Sequence, residues 1–399
     1  MTIPVDILAA AVHAAVLTVT HLMLIGGLVY ESRWQKRVSL QVRSRTPVAD
    51  GGDGREPLVS LVIPARNEQE RLGNLLESLK RQNYADIEYI FIDDRSTDAT
   101  GALLEAFARE NAGARIITLA ENPGPNHKQY ALSKGIACAK GDFILFTDAD
   151  CTLPDNWARG MRELMSDENC GIIIAPVFKK SDGGTFLARY QCIDHAVRCV
   201  YMVGTTGFGA GFCGFGNNMM LRRSALDEAG GYDSVPYSLT EDASLIAHIR
   251  TKTRYTIQAA CRRDLFVVTE SEHSWKAFLN QILRWSNGAL FSRDFRTRLS
   301  YRYLMLSILA GLLLAPFCTR RLAFMLVSGA ALLVMLLMGL CARILFGKTL
   351  PKSPLAYLGE IIAMPLVFAL ITIQGFAGII PVWKDNRTFP KITIWGKKP

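Results

Sequence analysis

Two carboxylates in the middle of the chain have the spacing of a metal site. Asp148-Ala149-Asp150 places them one residue apart, directly after the apolar run Phe143–Thr147. Mg²⁺ and Mn²⁺ accept oxygen ligands, and Mg²⁺ typically takes one or two protein carboxylates together with phosphate oxygens and water. Asp148 and Asp150 could therefore hold a divalent cation that neutralises a diphosphate, although two aspartates at this spacing also commonly occur by chance. Their position at a strand end favours the metal site.

A second acidic motif, Asp93-Asp94, follows the predicted strand Glu88–Ile92. Its carboxylates could accept hydrogen bonds from a nucleobase and a ribose. They could equally belong to a turn that caps the next helix, because Ser96 and Thr97 follow directly. The motif alone leaves both interpretations open.

Thr240-Glu241-Asp242 opens a segment with helical periodicity, Leu239–Arg250. Acidic residues are favoured in the first turn of a helix by its dipole, which is a purely structural reason for the triplet. Alternatively, a carboxylate here could act as a general base and take the proton of an attacking hydroxyl group. On that interpretation Glu241 and Asp242 are the candidate catalytic residues.

The segment Ser274–Leu290 has apolar residues at helical spacing and carries Gln281-Ile282-Leu283-Arg284-Trp285. Trp285 could stack on a sugar or nucleotide ring, and Arg284 could pair with phosphate. The other interpretation is an amphipathic helix at a membrane surface, with a snorkelling arginine and an interfacial tryptophan. The residues alone favour neither.

Alternating strands and helices must position these motifs. From residue 58 onwards, apolar runs typical of buried parallel strands alternate with segments of helical periodicity. The predicted strands are 58–64, 88–92, 115–119 and 143–147, and the predicted helices are 68–81, 96–110, 128–139 and 224–229. This alternation predicts an α/β fold with a mostly parallel, doubly wound sheet, whose ligands bind beyond the carboxyl ends of the strands. Both acidic motifs follow strand ends and should face one crevice.

Apolar segments flank this region at both ends of the chain. Ile7–Tyr30 carries no charged residue and is long enough to cross the ~30 Å hydrocarbon core. The basic stretch 31–45 follows it, a positive-inside pattern that favours an anchor over a cleaved signal peptide and places the next domain in the cytoplasm.

The carboxyl end holds three apolar segments, 304–317, 322–346 and 361–382, before a basic tail. If all three crossed the membrane, the tail would end outside, against the positive-inside rule. We therefore expect one segment, the one near 361–382, to be interfacial or re-entrant. The prediction is a multi-pass protein of the cytoplasmic membrane, with one amino-terminal and two to three carboxyl-terminal membrane helices.

The composition argues against other classes of protein. Much of the net charge of +9 lies beside the apolar segments, which favours anionic lipid as its partner, and the absence of a basic stripe interleaved with aromatic residues argues against a nucleic-acid partner. The nine cysteines form no C-x-x-C pair and are expected to be reduced. The six histidines have no zinc-ligand spacing, and the sequence predicts no oligomeric state.

Five motifs, in order along the chain, resemble the pattern of glycosyltransferase family 2, a family of inverting enzymes with the GT-A fold. They are Val62–Glu68, Asp93–Asp98, Asp148–Asp150, Thr240–Asp242 and Gln281–Trp285. The resemblance covers roughly residues 58–290. It implies a nucleotide-sugar donor, in particular a UDP-sugar, and inversion at the anomeric carbon by single displacement.

The resemblance also assigns residues to the donor, the acceptor, the metal and catalysis. The implied donor contacts are Pro64, Ala65, Glu68, Asp93, Asp94, Lys128, Asp148, Asp150, Gln281, Arg284 and Trp285. The implied acceptor contacts are Gly214, Phe215, Gly216, Asn217 and Trp285. Asp150 and Asp148 are the implied ligands of Mg²⁺ or Mn²⁺, and Asp242 is the implied catalytic base with Glu241 beside it.

The motif Trp383-Lys384-Asp385-Asn386-Arg387 resembles the Trp-Lys-Gly-Arg tail of lipid glycosyltransferases, with Asp385-Asn386 in place of the glycine. The expected acceptor is therefore a membrane lipid hydroxyl. The alternatives are a processive polysaccharide synthase, which needs a channel for its polymer, and a non-catalytic membrane scaffold.

The expected domain organisation of the chain is an anchor with a basic segment (1–47), a linker (48–57), a GT-A domain (58–271), an interface helix (272–300) and carboxyl-terminal membrane segments with a tail (301–399).

Overall fold

The computed structural model of the chain describes residues 5–44, 58–180, 185–211, 213–314, 321–347, 350, 354–379 and 381. The predicted linker and the tail motif Trp383–Arg387 lie outside these residues. The chain forms two compact units. The first comprises Met1–Leu28, Ser181–Phe208 and Ser271–Pro399, and the second comprises Val29–Lys180 and Gly209–Glu270.

The second unit contains the strands. They are β1 (Val59–Ala65), β2 (Ile87–Asp93), β3 (Ala114–Thr118), β4 (Phe143–Phe146), β5 (Cys151–Thr152), β6 (Cys170–Ile174), β7 (Val177–Lys179), β8 (Met219–Arg222), β9 (Thr256–Ala259) and β10 (Val267–Thr269). Seven strands form one sheet in the order β3-β2-β1-β4-β8-β6-β9, and a small sheet has the order β5-β10-β7.

The first four strands pair in parallel, as their apolar runs predict. β1 pairs with β2 from Val59 opposite Ile87 to Ala65 opposite Asp93, and it pairs with β4 on its other side. Leu61 and Ile63 are fully buried, which fits a strand covered on both faces. The predicted α/β fold is confirmed in this half of the sheet.

The other half of the large sheet was not predicted. β8 is antiparallel to both of its neighbours, β4 and β6, whereas β9 returns parallel to β6. The sheet is therefore mixed rather than purely parallel. These strands have only four or five residues, too few to show a clear local period.

Twelve helices are found in the described residues. They are α1 (Val5–Ser44), α2 (Leu72–Lys80), α3 (Thr100–Glu110), α4 (His127–Cys138), α5 (Trp157–Leu164), α6 (Phe186–Gly207), α7 (Arg223–Glu228), α8 (Glu241–Lys252), α9 (Trp275–Leu290), α10 (Phe295–Leu314), α11 (Arg321–Phe346) and α12 (Pro354–Phe376). The predicted starts of α2 at residue 68 and of α3 at residue 96 are each four residues too early. The residues just before the two helices form turns instead, and hydrogen bonds join the turn before α2 to the segment at the start of α3.

α1 is longer than the apolar run that predicted it. The helix continues through the basic stretch, where Trp34 and Val38 belong to the hydrophobic core of the second unit. The indole N–H of Trp34 donates to Oδ2 of Asp167 at 3.0 Å. Ala10–Val42 is long and apolar enough to cross a membrane, and it is the one such span in the described part of the chain.

The first unit contains a helix that the sequence did not indicate, α6. It packs against α11 and α12, and also against the amino-terminal part of α1. There a Cβ added to Gly27 would overlap the carbonyl group of Gly204, so the two backbones are in close contact. Nε2 of His21 also lies 2.6 Å from the hydroxyl of Tyr201. Small residues at such a crossing are typical of helices that associate within membranes.

The three predicted carboxyl-terminal apolar segments fall largely within α10, α11 and α12. Two apolar stretches in this region, Leu336–Phe346 and Ile362–Phe376, are shorter than a full span. The number of carboxyl-terminal crossings therefore stays a prediction. No disulfide is found among the eight cysteines in the described residues, and their reduced state stays a prediction.

Candidate active site

The carboxyl ends of the first parallel strands meet at one edge of the large sheet. Pro64 and Ala65 end β1, Asp93 ends β2 opposite Ala65, and Asp148 follows the end of β4 by two residues. Both acidic motifs therefore lie at the same edge, as predicted from their positions after apolar runs.

Asp93 and Asp94 are both buried. Oδ1 of Asp93 accepts a hydrogen bond from the backbone N–H of Ser96 at 3.0 Å, so this carboxylate stabilises the turn before α3. Oδ1 of Asp94 lies 2.8 Å from Nε of Arg95, and the backbone N–H of Asp94 donates to the carbonyl of Ala65 at 2.9 Å. Asp93 therefore belongs to a turn, as one interpretation expected, but α3 begins at Thr100 without a side-chain cap. The predicted role of both residues in donor binding stays a prediction.

The loops that follow β1 and β2 are tied together by hydrogen bonds between side chains and backbone. The side-chain oxygen of Asn67 accepts from the backbone N–H of Thr97 at 2.8 Å. In return, the hydroxyl of Thr100 accepts from the backbone N–H of Glu68 at 2.8 Å. Asn67 and Arg95 have positive φ angles of 51° and 57°, a conformation that costs about 1–2 kcal/mol for an L-residue. The hydrogen bonds between the loops offset that cost and fix the shape of this edge.

His127, the first residue of α4, contacts two arginines of these loops. Its Nδ1 lies 3.3 Å from Nη1 of Arg66 and 3.2 Å from Nη2 of Arg95. Burial and the positive charge of Arg95 lower the pKa of His127 below its ordinary value, so the ring is neutral at pH 7. In the tautomer protonated at Nε2, the single lone pair of Nδ1 can accept from one of the two guanidinium groups at a time. This cluster was not predicted. The only sign of it in the sequence is the position of His127 next to Lys128.

Lys128 joins the Asp148 motif to the predicted catalytic pair. Its Nζ lies 2.6 Å from Oδ1 of Asp148 and 3.2 Å from Oε1 of Glu241. Burial alone would lower the pKa of Lys128, but the charges of Asp148 and Glu241 outweigh that effect and hold the pKa above its ordinary value. The ammonium group is therefore charged throughout the physiological range.

Asn126, which sequence reasoning missed, positions Lys128 from outside the helix. Its side-chain oxygen caps α4 by accepting from the backbone N–H groups of Lys128 and Gln129 at 3.0 and 3.2 Å. Its amide nitrogen donates to the carbonyl of Ser238 at 2.9 Å and to Oε2 of Glu241 at 3.3 Å. Asn126 thus connects the amino termini of α4 and α8. An asparagine directly before a helix was the signal that could have found it.

Asp148 and Asp150 offer the hard oxygen ligands that a divalent cation requires. Oδ2 of Asp150 accepts from the hydroxyl of Thr269 at 3.0 Å, the kind of contact that orients a metal ligand. In the part of the chain that the structure describes, no three His, Cys, Asp or Glu side chains converge as a complete cage. A cation held here would take its remaining ligands from phosphate oxygens and water, as Mg²⁺ commonly does.

Asp242 lies in the first turn of α8 and is well placed to accept a proton. Its Oδ2 accepts from the backbone N–H of Gly216 at 2.9 Å, and its Oδ1 accepts from that of Ala243 at 2.7 Å. Burial of the carboxyl group and the negative charge of Glu241 raise the pKa of Asp242 to about 6. A carboxylate with a pKa this close to neutrality is suited to general-base chemistry at pH 7.

The predicted acceptor loop, Gly214–Asn217, packs against α8 and depends on its glycines. A Cβ added to Gly214 would lie 2.5 Å from Cδ1 of Ile246. A Cβ added to Gly216 would lie 3.1 Å from Cβ of Asp242. The loop can approach Asp242 this closely only because these side chains are absent. Its contact with an acceptor stays a prediction.

Tyr232 was also missed by sequence reasoning, and it shares a small cavity with Glu241, Asp242 and Gly216. The residue is 6% exposed, and its hydroxyl has no hydrogen-bond partner among the described residues. Burial and the charge of Glu241 raise the pKa of Tyr232 well above its ordinary value, so the hydroxyl stays protonated beside the two carboxylates.

Gln281, Arg284 and Trp285 lie on α9 in the first unit, whereas the other predicted site residues lie in the second unit. Nε2 of Gln281 donates to Oε1 of Glu272 at 2.9 Å. The ring of Trp285 meets the ring of His195 nearly edge-on, with centroids 5.4 Å apart. The roles of these three residues at the donor and the acceptor stay predictions.

The sequence profile of the family described as "Glycosyl transferase family 2" matches residues 60–230. The matched segment contains both acidic motifs and the predicted acceptor loop, and it ends before α8.

Several curated relatives resemble the chain at similar levels of identity. A probable glycosyltransferase YdaM of Bacillus subtilis (strain 168) is 28% identical over 242 residues, which is 58% of this chain and 55% of that protein. An N-acetylglucosaminyltransferase of Bradyrhizobium diazoefficiens is 28% identical over 300 residues, 69% of this chain and 59% of that protein. A beta-monoglucosyldiacylglycerol synthase of Nostoc sp. is 25% identical over 194 residues, 48% of this chain and 41% of that protein. The chain spans about half the length of the curated relatives it matches.

Among solved structures, the mannosyltransferase PcManGT from Pyrobaculum calidifontis, in complex with GDP-Man and Mn²⁺, is similar in fold. The likeness has a TM-score of 0.54 at 18% sequence identity, and it covers 92% of this chain and 99% of that one. It shows the mixed α/β fold of the GT-A type for this chain.

Proposed function

We propose a function from the premise that the chain belongs to glycosyltransferase family 2. It transfers a sugar from a nucleotide-sugar to a hydroxyl group of a membrane lipid, with inversion at the anomeric carbon. The observation that carries this proposal is Asp242, a carboxylate with a pKa of about 6 beside the cluster of Lys128, Asp148 and Glu241.

Asp242 acts as the general base. It takes the proton of the acceptor hydroxyl while the hydroxyl oxygen bonds to the anomeric carbon and the bond from that carbon to the diphosphate oxygen breaks. Each carboxylate oxygen of Asp242 accepts one backbone hydrogen bond, which leaves lone pairs for the incoming proton. The raised pKa makes the carboxylate a stronger base than an ordinary aspartate while keeping it ionised at pH 7.

The donor lies at the edge of the sheet where the acidic motifs meet. Asp93 and Asp94 receive the nucleoside, and Lys128 brings positive charge to the side of Asp148 where the diphosphate leaves. A divalent cation, when held by Asp150 and Asp148, adds positive charge that stabilises the departing diphosphate. The GDP-Man and Mn²⁺ bound to a protein of the same fold support a nucleotide-sugar and a metal as partners.

The acceptor is a lipid presented at the cytoplasmic face of a membrane. The apolar span Ala10–Val42 and the basic stretch 31–45 that overlaps its end support attachment to an anionic membrane. A relative named for the synthesis of monoglucosyldiacylglycerol supports a lipid hydroxyl as acceptor. On this proposal the loop Gly214–Asn217 contacts the acceptor. Trp285, in the motif Gln281–Trp285, has a role in transfer.

The test uses membranes that contain the full-length protein, supplied with labelled UDP-sugars and GDP-mannose. We expect one added sugar on an extractable lipid, identified by mass spectrometry. Asp242→Asn should lower transfer by about 10²–10⁴-fold and leave UDP binding within about twofold. Asp233→Asn, an exposed aspartate in the turn before α8, is the matched control and should transfer normally. Unchanged turnover in D242N would remove Asp242 as the base, and a long water-soluble polymer would show a polysaccharide synthase instead.

A further inference from the structure

A buried ion pair lies inside the first unit. Asp194 and Arg198 are four residues apart on α6, with Nε of Arg198 2.6 Å from Oδ2 of Asp194 and Nη2 3.2 Å from Oδ1. The side chain of Asp194 is 1% exposed and that of Arg198 is 17% exposed. Removing two charges from water is costly, and well-packed apolar residues would fill the same space more cheaply. Packing alone therefore does not account for an ion pair at this position.

The guanidinium of Arg198 faces two aromatic rings that belong to different helices. Its central carbon lies 5.8 Å from the ring centroid of Trp285 on α9 and 5.1 Å from that of Phe368 on α12. Asp194 fixes the plane of the guanidinium through its two hydrogen bonds, so the cation is held in one orientation. Attraction between a cation and an aromatic ring is stronger where water is excluded, as it largely is here.

A second residue of α6 contacts the same tryptophan. The ring of His195 meets that of Trp285 at an interplanar angle of 75°. Ser286, the residue after Trp285, is buried, and its hydroxyl lies 2.9 Å from that of Tyr301. The indole of Trp285 is therefore held from α6 by two side chains, and its neighbour in sequence is held from α10.

We propose that Arg198 is a positioning residue for Trp285. Arg198, oriented by Asp194, holds the indole in the conformation that sugar transfer requires, and it touches neither donor nor acceptor itself. This inference rests on the proposed role of Trp285 in transfer. It assigns a task to α6, a helix that the sequence analysis did not detect, and it explains why a charged pair is kept in a largely apolar bundle.

The experiment is a double-mutant cycle in the full-length protein with the lipid assay. Arg198→Lys keeps the charge but loses the planar group and its two-point pairing with Asp194. We expect R198K to lower kcat about tenfold with little change in the KM for the donor, and W285F to lower kcat by at least as much. In the W285F background, R198K should lower kcat less than twofold, because the residue it acts through is already gone. Arg296→Lys, an exposed arginine of the same unit, is the matched control and should leave both constants unchanged.

The proposal would be overturned if R198K lowered kcat by the same factor in the wild-type and W285F backgrounds. A fully active W285F variant would also overturn it. If R198K does not fold, the double variant D194N/R198Q replaces it, since it removes both charges together and leaves no buried carboxylate without a counter-charge. The same cycle is then expected to be non-additive. Failure of the proposed function gives a different result, which is normal turnover in D242N.

Discussion

The carboxylate of Asp242 accepts a 2.9 Å hydrogen bond from the backbone N–H of Gly216. The same approach leaves little room for a side chain at position 216, because a Cβ there would lie 3.1 Å from Cβ and 3.3 Å from Oδ2 of Asp242. Gly216 therefore fixes the orientation of the proposed base from the neighbouring loop.

Gly216→Ala should lower kcat/KM by about 10- to 100-fold, because a displaced base loses its alignment with the acceptor hydroxyl. Donor binding should be largely unchanged. The control is Gly73→Ala, since Gly73 lies in α2 with no atom within 4 Å of an added Cβ. Steady-state kinetics and UDP titration measure both variants. Wild-type kinetics in G216A would show that Asp242 is not held through this contact.

The rate of transfer should fall at acidic pH. The base must be ionised, and burial together with the charge of Glu241 raises the pKa of Asp242 to about 6. Below that pH, kcat/KM should decrease about tenfold per pH unit, and above it the rate should level off. In Glu241→Gln one negative neighbour is lost, so the acidic limb should move to lower pH. A profile that is flat between pH 5 and 7, or a limb that moves upward in E241Q, contradicts the assignment.

Thr269→Val keeps the shape of the side chain but should weaken binding of the divalent cation, so that a higher cation concentration is needed for half-maximal transfer. It removes the 3.0 Å hydrogen bond to Oδ2 of Asp150. Loss of such an orienting contact typically costs about 10- to 100-fold in metal affinity. The measurement is the Mg²⁺ or Mn²⁺ concentration for half-maximal transfer, with Thr118→Val, an exposed residue of β3, as control. Undiminished transfer of the wild-type protein in a strong chelator would rule out a metal requirement.

Gly27→Ala should lower the stability of the protein, whereas the kcat and KM of the folded protein should not change. Its Cβ would overlap the carbonyl of Gly204, so α1 and α6 would have to separate. Overpacking of this kind typically costs about 1–3 kcal/mol. The neighbouring variant Gly26→Ala adds a methyl group into open space and should be neutral. Thermal unfolding in detergent compares the two, and equal midpoints would mean that the close contact does not contribute to stability.

In the parallel half of the sheet, β1 and β4 could be predicted because they are buried on both faces. Phe91 and Ile92 of β2 are also fully buried, so the sequence shows an apolar run before Asp93, whereas β3 at the edge of the sheet is only partly buried. The direction of β8 could not be predicted in this way. It is set by pairing with β4 and β6, which lie far away in sequence, and four residues carry no local signal of direction.

α6 escaped prediction for a different reason. Asp194, His195 and Arg198 interrupt its apolar periodicity, yet all three are largely buried in the folded unit because the two charges neutralise each other. Within the site, Asp242 and Lys128 could be predicted from motifs. Asn126 has only the local signal of a helix cap, which does not reveal its contact with Glu241, and Tyr232 has no signal, since the cavity that it lines exists only after folding.

The hydrogen bonds between the loops after β1 and β2 form within the protein itself. A nucleotide that binds there meets backbone that is already ordered, and its affinity is not reduced by the entropy of arranging those loops. The backbone amides of Glu68 and Thr97 should then exchange slowly with solvent deuterium before any ligand is added. Association at this edge of the sheet should be governed by diffusion and charge rather than by a slow closing motion.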